Sequence, residues 1–114
     1  MLDQRSTLTT AALHILVAIG PGERHGYAIM TEVERLTDGA VRLAPGTLYV
    51  TIKRLLGANL IEEADERPDA ELDDQRRRYY RLTPGGRAVV ASELRRLESL
   101  VSSARPWALD GDAP

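Results

Sequence analysis

The sequence predicts a mainly α-helical domain with one small β-hairpin, continued by a single long C-terminal helix. Three observations carry this. Three successive segments place apolar residues at helical spacing and are each stopped by glycine or proline. Two short apolar segments then flank a long, highly charged stretch. A final segment carries a heptad-like seam. With 114 residues, the chain has room for one domain and one core, which excludes a multi-domain enzyme.

In residues 8 to 19, Leu8, Ala12, Leu16 and Ile19 recur at four, four and three, with Ile15 alongside, giving the apolar stripe of a first helix. Gly20-Pro21-Gly22 stops it, because proline cannot donate the next helical hydrogen bond and glycine tolerates the backbone angles of a helix end. From His25 to about Thr37, Ile29, Val33 and Leu36 form the stripe of a second helix, closed by Asp38-Gly39. Val41 and Leu43 alternate in the short segment from Ala40 to Leu43, which predicts a minimal strand. Pro45 suits the first position of a third helix, where a missing N–H costs nothing, and Leu48, Ile52, Leu55 and Leu56 trace its inner face. Gly57-Ala58-Asn59 ends it. Leu60-Ile61 and Tyr79 to Leu82 read as two strands joined by a long polar hairpin. Thr83-Pro84 supplies a cap and a first-turn proline for the last helix, which runs to about Ser103 with Val90, Leu94, Leu97 and Val101 at four, three and four.

Cysteine is absent, which removes disulfides, thiolate nucleophiles and cysteine-ligated metal centres and fits a reducing cytoplasm. No leader pattern opens the chain, and charges or prolines interrupt every apolar run before it reaches bilayer length. No membrane contact is expected. The net charge of −2 conceals a segregation. Residues 62 to 74 hold Glu62, Glu63, Asp65, Glu66, Asp69, Glu71, Asp73 and Asp74 against Arg67, whereas residues 75 to 87 hold Arg76, Arg77, Arg78, Arg81 and Arg87 and no acid. On the third helix, Thr47, Tyr49, Val50, Thr51, Lys53 and Arg54 lie off the core stripe, and no acid occurs between Pro45 and Leu60. That surface is built to meet an anion.

Three helices, two strands around a wing and a last helix make the order of a winged helix-turn-helix, a DNA-binding architecture. The sequence resembles the PadR-like family of transcriptional regulators. The matching pieces are His25-Gly26-Tyr27, Pro45-Gly46-Thr47-Leu48-Tyr49, Leu55 with Asn59-Leu60-Ile61, Arg77-Arg78-Tyr79-Tyr80, and Leu82-Thr83-Pro84-Gly85-Gly86, which together cover most of residues 10 to 90. The resemblance implies a cytoplasmic homodimer that binds a palindromic operator in double-stranded DNA, with the third helix in the major groove and the wing near the backbone. It also allows an apolar small-molecule effector between the dimer helices. The chain departs from the family pattern in three ways. Ala44 stands where a capping serine or asparagine is common, the wing is strongly acidic, and one C-terminal helix replaces a separate C-terminal domain.

The expected organisation is therefore a winged helix-turn-helix over residues 1–82, a dimerisation helix over 83–104 and a flexible tail over 105–114. The expected DNA contacts are Gly46, Thr47, Tyr49, Thr51, Lys53 and Arg54 on the third helix and Arg76, Arg77 and Arg78 at the base of the wing. Thr47, Tyr49 and Lys53 are placed to reach base edges and the arginines to reach phosphates. Gly46, lacking a side chain, lets the helix start approach a phosphate. Val90, Leu94, Leu97 and Val101 are the expected dimer interface. One of Tyr79 and Tyr80 must face the core, because neighbours on a strand point to opposite faces. His25 at a helix start is a local cap rather than a catalytic or metal-binding group, and His14 has no third ligand at metal spacing. No nucleophile, base and orienting acid converge and no phosphate-cradling glycine loop follows a strand, so neither an enzyme nor a cofactor is expected. The competing function, suggested by the acidic wing and the negative net charge, is a winged-helix adaptor that contacts proteins and not DNA.

Overall fold

A computed structural model describes residues 8–64 and 78–111. Helix α1 spans Thr10–Ile19, α2 Gly26–Leu36, α3 Pro45–Gly57 and α4 Pro84–Ala104. Strands β1 (Arg24–His25), β2 (Ile61–Glu63) and β3 (Tyr79–Leu82) form one antiparallel sheet in the order β1-β3-β2. The predicted winged helix-turn-helix class is therefore present, with a third strand added to the hairpin. In register, Arg24 and His25 face Tyr80 and Tyr79, while Ile61, Glu62 and Glu63 face Leu82, Arg81 and Tyr80.

Side-chain chemistry sets the helix starts. The Thr9 hydroxyl accepts from the Ala12 N–H at 3.0 Å, and His25 Nδ1 accepts from the Ala28 N–H at 3.1 Å. The Thr83 hydroxyl accepts from the Gly86 N–H at 2.9 Å. Each satisfies one of the donors that a helix leaves open at its first turn. Helix α3 has no side-chain cap at Ala44 and relies on Pro45 to set its first turn. His25 also places its ring edge against the Tyr79 ring, with centroids 5.3 Å apart and planes at 89°. The histidine is thus a structural cap that ties the start of α2 to β3.

The core gathers Ile15, Leu16 and Ile19 of α1, Ile29 and Val33 of α2, Leu48, Ile52 and Leu55 of α3, Ile61 of β2 and Tyr80 of β3. Tyr80 is the inward member of its pair. Burial, reinforced by the nearby Glu63 charge, pushes its hydroxyl up to about 12. Leu36, expected on the inner stripe of α2, is 42% exposed at the last turn, where the chain is already leaving the core.

Two expectations fail on local grounds. Ala40 to Leu43 is not a strand. The Thr37 hydroxyl donates to the Val33 carbonyl at 2.9 Å and accepts from the Val41 N–H at 3.0 Å, pinning this segment as a loop, while Val41 and Leu43 pack onto the core. The tail is also wound further than expected. After α4, Arg105–Leu109 forms a π-helical turn, closed by the Asp110 N–H donating to the Arg105 carbonyl at 2.9 Å. Pro106 has no N–H to offer the preceding turn, which favours this wider loop.

The end of α3 and the start of α4 are clasped together. Asn59 adopts the left-handed conformation (φ 63°) that reverses the chain after α3. The Thr83 hydroxyl donates to the Asn59 carbonyl at 2.7 Å, and the Thr83 N–H donates to the Leu60 carbonyl at 3.1 Å. Gly86 sits so close to Leu60 that a β-carbon there would overlap the Leu60 carbonyl oxygen. Two of the recognised motif pieces are therefore the two halves of one joint.

Candidate nucleic-acid interface

Successive residues of a helix step by about 100° around its axis, so the face of α3 opposite Leu48, Ile52 and Leu55 carries Gly46, Val50, Lys53, Arg54 and Gly57, with Thr47 at its edge. All six are exposed. Thr51 does not belong to this face. It is 9% exposed, because the core-facing stripe of α3 is wide enough to take in the residue three positions after Leu48. Tyr49 is half-buried and also leaves the outer face, since the step from Leu48 turns it toward α2. A β-carbon on Gly26 would lie 2.7 Å from the Tyr49 hydroxyl oxygen and 2.9 Å from a ring carbon. Glycine at 26 is thus what lets the Tyr49 ring lie against the start of α2. Gly26→Ala is expected to cost about 1–3 kcal/mol by overpacking. Most of that cost should vanish in a Tyr49→Ala background, a coupling that urea denaturation of the four proteins measures.

Nothing among the described residues requires glycine at 46. Its β-carbon would meet none of their atoms within 4 Å, and its φ is not in the left-handed region. Glycine inside a helix costs roughly 1 kcal/mol relative to alanine, so its use at an exposed first turn is suited to close approach by something external.

Among the described residues six arginines are in ion pairs, whereas Arg24, Lys53, Arg54, Arg87 and Arg95 are in none. Arg35 pairs with Glu32 at 2.6 Å, which raises the arginine pKa and lowers that of the glutamate through their hydrogen bond, and Arg42 pairs with Glu34 at 3.4 Å. At the wing base Arg78 pairs with Glu63 at 3.1 Å, and Arg81 bridges Glu62 at 2.8 Å and Glu23 at 3.5 Å. Lys53 and Arg54 make no ion pair among the described residues. Among the described residues no carboxylate neutralises Lys53 or Arg54, whereas Arg78, expected on phosphate, already has an acidic neighbour. Such an exposed pair is worth roughly 0–1 kcal/mol, so a phosphate can compete for the guanidinium. Arg76, Arg77 and the acidic tip of the wing lie outside the described residues.

On α4, Leu94 and Val101 are 43% and 40% exposed, and Leu97 is half-buried. With Glu98, Ser102 and Arg105 they line a shallow groove of about 400 Å³. Val90, expected in the same interface, is half-buried and packs on the chain's own core. Trp107 is 69% exposed on the π-helical turn. No described helix is long and apolar enough to cross a membrane, and the described residues contain no group of three metal-ligating side chains.

Residues 15–92, from the second half of α1 through the sheet to the first turns of α4, match the family described as transcriptional regulator PadR-like. The chain belongs to the PadR-like family. This PadR-like chain is 39% identical over 88 residues to the transcriptional regulator Rv3488 of Mycobacterium tuberculosis, which covers 77% of this chain and 76% of that one. Among solved structures it resembles a transcriptional regulator from Clostridium thermocellum, with a TM-score of 0.69 and 21% identity over 95% of this chain and 99% of the other. It also resembles BpsR of Bordetella bronchiseptica, whose DNA binding is regulated by 6-hydroxynicotinic acid, with a TM-score of 0.68 and 22% identity over 97% and 74% of the two chains. At these identities the two structures support the fold alone. The PadR-like family is one of transcriptional regulators, and on that ground the chain is a transcriptional regulator.

Proposed function

We propose that this PadR-like regulator is a cytoplasmic, homodimeric repressor that occupies a palindromic operator, reading it with the outer face of α3. The observation that carries this is that Lys53 and Arg54 stand side by side on a helix face that carries no carboxylate and make no ion pair among the described residues, whereas Arg35, Arg42, Arg78 and Arg81 each have an acidic partner. Gly46, Thr47, Lys53 and Arg54 supply the contacts from α3, and Arg76, Arg77 and Arg78 hold phosphates beside the wing. Tyr49, bedded on Gly26, supports the reading helix from the side. The exposed apolar side chains of α4 bury against those of a second copy, which sets the two reading helices about one helical turn of DNA apart. In organisation, residues 1–82 form the DNA-binding unit and α4 the pairing unit. An apolar effector seated between paired α4 helices would change that spacing and release the DNA. The regulation of BpsR's DNA binding by 6-hydroxynicotinic acid is in keeping with this.

A second reading, a protein-binding adaptor, has one observation in its favour: Glu62, Glu63 and Glu23 already engage Arg78 and Arg81. Salt dependence separates the two. A repressor that neutralises about six phosphates should lose on the order of a thousandfold in affinity between about 50 and about 200 mM salt. The decisive measurement is binding to the DNA upstream of its own gene and to a scrambled duplex at both salt concentrations. Preferential, salt-sensitive binding supports the repressor, and absence of binding at low salt supports the adaptor. Lys53→Ala is expected to weaken operator binding and to narrow the difference between operator and scrambled DNA.

A further inference from the structure

Val50 stands at the centre of the outer face of α3 and is 53% exposed. A β-branched residue is a weak helix former, and an exposed apolar side chain gains nothing from water, so nothing among the described residues favours valine there. Single exposed apolar residues are common and need no explanation by themselves. Val50 is distinguished by its surroundings. One turn before it lie Gly46 and Thr47, and one turn after it lie Lys53 and Arg54, neither of which has an ion-pair partner among the described residues. An apolar protein partner would have to bury those two cations around the valine. The floor of a DNA major groove meets both needs, because phosphates line its edges and the 5-methyl group of thymine is the one apolar group its base pairs display there.

We infer that Val50 is a specificity-determining residue that packs against a thymine methyl group in each operator half-site. This rests on the DNA-binding reading of α3 and adds to it a sequence requirement, a T·A pair in a defined orientation under the middle of the helix. Thr47 and Lys53, one turn to either side, take the neighbouring base pairs. Val50 supplies no charge, so it contributes to discrimination between sequences and nothing to the salt dependence.

The test starts from the tightest duplex selected from a random DNA pool. Each thymine of one half-site is replaced in turn by deoxyuridine, which removes the methyl group and leaves every hydrogen-bonding atom in place. One position in the half-site should weaken binding of the wild-type protein by about fourfold, the value of one buried methyl group. Val50→Ala should bind the thymine and uracil duplexes equally while keeping the salt slope of the wild type. Since Val50 is exposed, the alanine protein should fold, as its circular dichroism and melting curve will show. Full thymine-over-uracil discrimination in Val50→Ala, or no sensitive thymine in the wild type, overturns the inference and leaves DNA binding by α3 standing. Failure to select any duplex overturns both.

Discussion

Replacing Leu94 and Leu97 together by glutamate is expected to give a folded monomer that binds a full operator on the order of a hundredfold more weakly than the wild type, or worse. The size follows from linkage. When two half-site readers are held together, the second binds at the high local concentration set by the first, a gain of roughly 10²–10⁴ that disappears once they separate. Leu94 is 43% exposed and Leu97 half-buried, so the change removes little from the chain's own core. It places two carboxylates beside Glu98 in the groove, where two copies of the helix would bring like charges together. Affinity for an isolated half-site should change far less, which separates loss of pairing from damage to the reading helix. Sedimentation velocity decides the first half of the claim. A double variant that still sediments as a dimer would show that the copies associate through another surface.

Gly86→Ala is expected to lower the melting temperature by about 15 °C or to prevent folding altogether. The β-carbon would fall on the Leu60 carbonyl oxygen, a backbone atom that cannot swing aside as a side-chain tip can. That carbonyl is also the acceptor of the Thr83 N–H, so relieving the overlap breaks the clasp between α3 and α4. A penalty of about 3 kcal/mol, at the upper end for overpacking, corresponds to this shift at about 4–8 °C per kcal/mol in a domain of this size. Gly85→Ala is the matched control. Its added atom would meet the Thr83 hydroxyl oxygen at 3.6 Å and the Asn59 carbonyl oxygen at 3.8 Å, both ordinary contacts. Equal melting temperatures for the two variants would show that the close approach at Gly86 is not what holds the joint.

The helices were legible in the sequence because their signals are local. Ile15, Leu16 and Ile19 announce a helix among themselves, and Gly20, Pro45 and Thr83 mark ends without reference to the rest of the chain. Strand β1 was not legible. Two residues have no periodicity, and Arg24 becomes a strand residue only by pairing with Tyr80, far along the chain. Val41 and Leu43 misled for the converse reason. Their alternation is real, but the Thr37 hydroxyl claims the Val41 N–H that a sheet would have used. On α3 the apolar stripe correctly fixed which face is outward. It failed at the margins, where Thr51 and Tyr49 lie next to core positions and the width of the buried stripe depends on what α2 and the sheet bring against it. The turn at Arg105–Leu109 was not legible, because a single π-helical turn leaves no apolar repeat to read.

The seating of the Tyr49 ring over Gly26 has a bearing on attempts to retarget such a regulator. Anyone transplanting a whole α3 from a relative would be importing one half of a matched surface, and a donor with a different ring or a bulkier neighbour would tilt the graft before it met any DNA. The positions open to variation are Thr47, Val50, Lys53 and Arg54, which are exposed on the outer face of the helix. New operator preferences should be sought by varying those positions on the resident helix, with Gly26 and Tyr49 inherited as a pair.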